Sequence, residues 1–173
     1  MKGYLPLLLL VAALAGCHKP AAGSTPPPPQ KPPPLPTHAQ PRLPTVRIYL
    51  GAETLDAEQA LTPIEQETGM MFRTNIQDSD AMIFVFGAPT QVHFWMMNCP
   101  ESISAAYIDP DGVIQEIHHL EKNDTNDVVA ASSNIQYVLE TSDGWFARHH
   151  VGVGTLIRTD KGSLQQTYFP NGE

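Results

Sequence analysis

The 173-residue chain is short of cysteine, of basic residues and of catalytic signatures, and each shortage excludes something. With only Cys17 and Cys99 there is no disulfide framework, so packing has to hold the fold. No Asp or Glu occurs before Glu53, whereas residues 46–173 carry six Lys and Arg against eighteen Asp and Glu, a formal charge of −12. A domain so charged repels phosphate backbones, which excludes nucleic acid as a partner. Neither H-E-x-x-H nor C-x-x-C spacing is present, and no cofactor is expected. The opening apolar stretch, Tyr4 to Ala15, is interrupted by Pro6 and falls short of the roughly 20 residues that a transmembrane helix needs.

That stretch does have the proportions of an export signal, with Lys2 before it and small residues after it. Leu14-Ala15-Gly16-Cys17 resembles the lipobox of bacterial lipoproteins. The resemblance implies a signal peptide over 1–16, cleavage before Cys17, and lipidation of its sulfur by diacylglycerol with acyl chains such as palmitate. The membrane is then a partner through that lipid. His18 stands where an inner-membrane retention signal would place Asp, which favours the outer membrane, facing the periplasm. The alternative is an ordinary signal peptide with a chance cysteine.

Residues 1–45 hold twelve of the seventeen prolines. Proline fixes φ and removes a backbone donor, so 17–45 is expected to be a tether of polyproline character rather than helix or sheet. From Lys19 to Pro44 it would span roughly 80 Å when extended. A spacer is the plainer reading. Two P-x-x-P matches, Pro29 to Pro32 and Pro33 to Pro36, leave a ligand for proline-recognising domains as the other.

Residues 46–173 are long enough for one domain with its own core. Val46, Ile48 and Leu50 alternate with polar positions, as a half-buried strand does. Ala81 to Phe86 and Val92 to Met97 are continuous apolar runs, read as buried strands. Ile103 to Ile108 and Val113 to Ile117 flank Asp109-Pro110-Asp111-Gly112, which predicts a hairpin. Ile135 to Glu140, Thr155 to Arg158 and Gln166 to Phe169 are the remaining expected strands. Thr62-Pro63-Ile64-Glu65 carries a capping box and an early proline, predicting a short helix from Pro63 to about Met70. A second short helix is expected over Asp143 to His149. The fold class is therefore α+β and mostly β: a compact barrel-like or rolled, antiparallel-rich sheet with two short helices.

Several pieces from Val46 to Arg158 resemble, in order, the domain of unknown function family 192, also called uncharacterised protein family 0127. They are Gly69-Met70-Met71-Phe72-Arg73, Met82 to Phe86, Phe94-Trp95-Met96 with Asn98, Ile108-Asp109 before Gly112, Tyr137-Val138-Leu139-Glu140 with Gly144, and Val151 to Gly154. The resemblance implies a small β-rich fold, often exported or membrane-attached, with no agreed activity. Where the family has Lys, Thr, Leu-Asp and a late Asp, this chain has Met97, Cys99, Ile103-Ser104 and Thr155. The polar residues kept at matching positions are Arg73, Asn98, Asp109 and Glu140, and these are the candidate shared site.

Other chemistry has to be weighed against plainer readings. His93, His118 and His149 are weak metal candidates, because adjacent histidines on a strand point to opposite faces. Cys99 and His93 could form a nucleophile and base, yet no third group orients them. Met70, Met71, Met82, Met96 and Met97 beside phenylalanines read first as core and second as a soft-metal set. Trp95 and Trp145 are candidates for a surface aromatic platform, with Trp145 alternatively capping the core. Arg73 is expected to brace carbonyls or pair with a carboxylate, and Asp109 to organise its turn. The leading expectation is a non-enzymatic, lipid-anchored module that binds a small ligand, a cell-wall component or an envelope protein. The alternatives are an envelope enzyme acting on glycan through Asp109 and Glu140, and a His/Met metal-handling protein.

Overall fold

Alternation at the head of the domain sets its first strand, β1 (Thr45–Leu50), which buries Val46, Ile48 and Leu50 and exposes the residues between them. Gly51, with φ of +65°, turns the chain into β2 (Glu53–Ala60), paired antiparallel with β1. The helix α1 (Pro63–Thr68) follows with the expected capping box between Thr62 and Glu65. The elements after it are β3 (Ala81–Thr90), β4 (His93–Phe94), β5 (Ile103–Ile108), β6 (Ile114–Leu120), β7 (Val128–Val129) and β8 (Ile135–Ser142). The chain closes with α2 (Trp145–Arg148), β9 (Ile157–Thr159), β10 (Gly162–Ser163) and α3 (Leu164–Tyr168). This computed structural model describes residues 35–170; the predicted signal peptide, Cys17 and the tether as far as Pro34 lie outside the described residues. No described helix is long and apolar enough to cross a membrane.

Eight strands form one curled half-barrel sheet in the order β10-β9-β1-β2-β3-β8-β5-β6, and β4 pairs with β7 beside it. Among the described strands only β2 and β3 run parallel, joined through α1; the other pairings are antiparallel. The expected mostly-β rolled sheet is therefore present, open rather than closed into a barrel.

Both faces of the sheet are covered. On one face Ile48, Ile83, Ile108 and Leu139 pack against Trp145, Phe146 and Leu164. On the other, Phe84, Tyr107 and Val138 pack against Met70, Met71, Met96 and Cys99. Two-sided burial explains why β3, β5 and β8 read as unbroken apolar runs.

Four local expectations need correction. The run Val92 to Met97 forms only the two-residue strand β4; Met96 then donates its N–H to the Asp124 carbonyl at 2.7 Å and the chain leaves the extended state. The segment Gln166 to Phe169 is helical, because Ser163 and Gln166 form a second capping box. That makes three helices among the described residues instead of two. Finally, the fold begins before residue 45: Gln40 donates to the carbonyls of Glu65 and Gly69, and Arg42 and the Leu43 N–H both donate to Glu58.

Candidate ligand-binding site

Glu140 lies mid-strand in β8, opposite Met82 of β3 on one side and Ala105 of β5 on the other. Cross-strand partners share a face, so its carboxyl is directed into the methionine-rich core. One strand further on, Glu58 of β2 is the partner of Met82. Two carboxyls thus stand in one transverse row of the sheet, and their surroundings are opposite.

Glu58 is wrapped in donors. Arg73 reaches it in a bidentate fork at 2.5 and 2.8 Å, Arg42 donates at 2.7 Å, and the Leu43 N–H donates at 2.7 Å. Burial on its own would raise this carboxyl, but the bonds from Arg73, Leu43 and Arg42 outweigh it and hold the pKa at about 2. Glu140 is buried to the same degree, yet its Oε2 has no hydrogen-bond partner. Burial pushes its pKa up to about 8, and the charge of Arg73 offsets this only in part. Glu58 is thus held as a carboxylate, whereas burial favours the neutral form of Glu140.

Glu140 forms part of the wall of a cavity of about 160 Å³. The segment leaving α1 supplies Gly69, Met70 and Met71; β3 supplies Phe84; the β4 segment supplies Phe94 and Trp95. Gly69 has φ of +46°, and a Cβ there would meet the Phe84 ring at 3.3 Å, so glycine lets this segment close over the ring. Phe94 meets Phe84 edge-on with centroids 5.0 Å apart. Asn98, with φ of +60°, turns the wall segment and accepts the Phe72 N–H on its carbonyl at 2.7 Å. The cavity is comparable to the engineered cavity of about 150 Å³ that holds benzene.

The candidate residues from the sequence separate accordingly. Arg73 and Glu140 do come together on the methionine-rich face, but the carboxylate that Arg73 grips is Glu58. Asn98 acts through its backbone in the wall. Asp109 lies elsewhere: its Oδ1 accepts the Val113 N–H at 2.9 Å and its Oδ2 accepts from Gln115 at 2.7 Å, fixing the hairpin. Trp95 is partly exposed beside the cavity, whereas Trp145 is 1 % exposed, so it is a core residue and not a surface platform.

His93 and Cys99 both line the cavity. The Cys99 thiol is raised to about 12 by burial and then by the nearby Glu140, and a protonated thiol is a poor nucleophile. His118 bonds Glu116 at 2.9 Å and packs on Tyr107, while His149 stacks on Trp145 and bonds Asp78 at 2.7 Å. The three histidines are therefore dispersed, and no group of three or more His, Cys, Asp or Glu among the described residues is arranged to hold a metal ion. Sequence reading missed Glu58; the one available signal was Gly51, which places a hairpin and hence a strand after β1.

Among solved structures, a protein of unknown function from Novosphingobium aromaticivorans DSM 12444 matches with TM-score 0.63 and 28 % identity, over 66 % of this chain and 84 % of that one. A second, from Sinorhizobium meliloti 1021 and described as a proposed transcription regulator, matches with TM-score 0.64 and 26 % identity, over 70 % of this chain and 98 % of that one. No curated protein matches. The family model DUF192, described as an uncharacterized ACR, matches residues 46–159, from the second residue of β1 to the end of β9. The chain belongs to the DUF192 family of uncharacterized proteins.

Proposed function

We propose that this is a lipid-anchored protein of the bacterial envelope whose domain is a non-enzymatic binding module, with its ligand seated in the cavity beside Glu140. The carrying observation is that Glu140, whose enclosed Oε2 has no partner, lines the cavity. Leaving a buried polar atom unsatisfied costs on the order of 1–3 kcal/mol, and a ligand that bonds to it recovers that cost. The anchor rests on the sequence, through Leu14 to Cys17 and the proline-rich segment behind them. Outer-membrane sorting follows from His18, and a cell-wall component or envelope protein is the expected partner class.

The glycan-hydrolysing alternative needs two carboxyls within roughly 10 Å of one another. Glu140 is opposite Ala105, four residues before Asp109 along β5, a separation of roughly 14 Å at strand spacing. Asp109 is also committed to its turn, so this pair does not support the reaction. The transcription-regulator description of the Sinorhizobium protein is not carried over, since the formal charge of −12 opposes DNA.

Native mass spectrometry of the full chain, purified from its own envelope, tests both halves. The denatured mass is expected to be that of a chain starting at lipidated Cys17. The native mass is expected to exceed it by a small ligand that Glu140→Leu does not retain. An unlipidated mass would remove the anchor, and identical retention by the variant would remove the site.

A further inference from the structure

We propose that the Glu140 cavity takes a small primary alkylammonium ion, its nitrogen donating to the carboxyl of Glu140 and its carbons lying against Phe84, Phe94 and Trp95. This rests on the binding reading above and adds the chemical class of the ligand.

Four observations point to a cation. First, the cavity wall holds two acids, Glu67 and Glu140, and no Lys or Arg. Second, Phe84, Phe86, Phe94 and Trp95 line the cavity, and aromatic rings attract ammonium groups. Third, Oε2 of Glu140 is enclosed and has no donor, whereas an ammonium brings three. Fourth, the formal charge of −12 on residues 46–173 concentrates small cations near the surface. The volume sets the size, since a cavity that holds about a benzene equivalent accepts an amine of four or five carbons.

Binding is coupled to a proton. The empty site holds Glu140 as a neutral acid because burial disfavours its charge. An incoming ammonium supplies the missing opposite charge, so the carboxyl ionises, the ligand stays protonated, and one proton leaves for solvent. The neighbouring groups leave that balance intact. Arg73 faces Glu140, but its donors are engaged by Glu58. The Cys99 thiol and the Tyr107 hydroxyl are held neutral by burial. Glu67 and His93 complete the ionisable lining.

The test is titration calorimetry on the full chain in maltoside detergent at pH 7, with n-butylammonium and its neutral match 1-butanol as probes. Repeating it in two buffers of different ionisation enthalpy counts protons. The expected result is that n-butylammonium binds at least tenfold more tightly than 1-butanol and releases close to one proton per ligand. Glu140→Gln should keep 1-butanol binding and lose both the amine preference and the proton. Butanol binding at least as tightly as the amine overturns the cationic class while leaving the cavity a binding site, and preferred amine binding without proton release overturns the proton coupling. Neither probe binding overturns the class and the binding reading together.

Discussion

Glu58 and Glu140 flank the same methionine in one row of one sheet, at 3 % and 4 % exposure, yet their pKa values are shifted in opposite directions. Burial raises both carboxyls, and the donors around Glu58 reverse the shift there. Glu58 collects four, including a guanidinium fork, and stays charged. Glu140, with its Oε2 unpartnered, becomes an acid. A paired carboxylate under an arginine fixes the fold, while an unpaired neutral one facing a cavity is available to something else.

The two also act on stability with opposite signs. Glu58 is depressed in the folded state, so its contribution is present above the ordinary carboxylate pKa near 4.5 and is lost as pH falls toward 2. Glu140 is raised, so the folded state holds a proton that the unfolded chain has released, and stability falls as pH rises from about 4.5 to about 8. Glu58 therefore contributes to the acid limb of the stability curve and Glu140 to the alkaline one, which places the maximum of their joint contribution near pH 5.

The largest break in this comparison is Glu58→Ala. It strands the Arg73 guanidinium, whose side chain is 9 % exposed, and should cost about 3–5 kcal/mol in urea unfolding of the full chain at pH 6. The double variant Glu58→Leu with Arg73→Met should recover most of that loss, because no unpaired charge remains. A loss below about 1 kcal/mol in the single variant would show that the pair does not hold the sheet.

Glu140→Gln should behave in the other way. At pH 5 it exchanges one neutral group for another and changes stability by less than about 1 kcal/mol. At pH 9 it should be more stable than the parent by on the order of 3 kcal/mol, because it removes a carboxyl that must otherwise ionise in the core. Its alkaline limb should be shallower than the parent's in unfolding curves taken from pH 5 to pH 9, with the raised His119 and His149 supplying the loss that remains. A parallel loss in parent and variant would mean that Glu140 is already charged in the folded protein.

Much of the frame behind this pair was legible in the sequence, for physical reasons. β1 announces itself by alternation, the β5–β6 hairpin by Pro110 and Gly112, and α1 by its capping box. β2 was invisible because its inward positions are Leu55, Ala57, Glu58 and Ala60, set among acids and lacking the β-branched residues that mark strands. Glu58 vanished with it, and Arg73 was left without its real partner. The run Val92 to Met97 misled in the opposite sense: its apolar residues wall a cavity and a core from a loop, so hydrophobicity was read as strand. Gln166 to Phe169 misled through its aromatics, although Ser163 and Gln166 offered the capping signal. Glu140 was marked only by its place in the Y-V-L-E motif. Its missing partner is a property of three strands meeting, which no local pattern encodes.

The smallest effect sharpens the comparison most finely, because Glu58 has two arginines and they should not be equal. Arg42 comes from the end of the predicted tether, and its side chain is 66 % exposed, so water screens its bonds to Glu58 and Asp80. Arg42→Ala should cost less than about 1 kcal/mol, and that cost should shrink further in 0.5 M salt. Arg73, buried and bidentate, would still satisfy both oxygens of Glu58. Urea unfolding of Arg42→Ala beside Arg73→Ala reads the difference directly. If Arg42→Ala cost as much as Arg73→Ala, the tether end would be an integral part of the core, and the contrast would lie between two anchored elements instead of between a buried fork and a surface clasp.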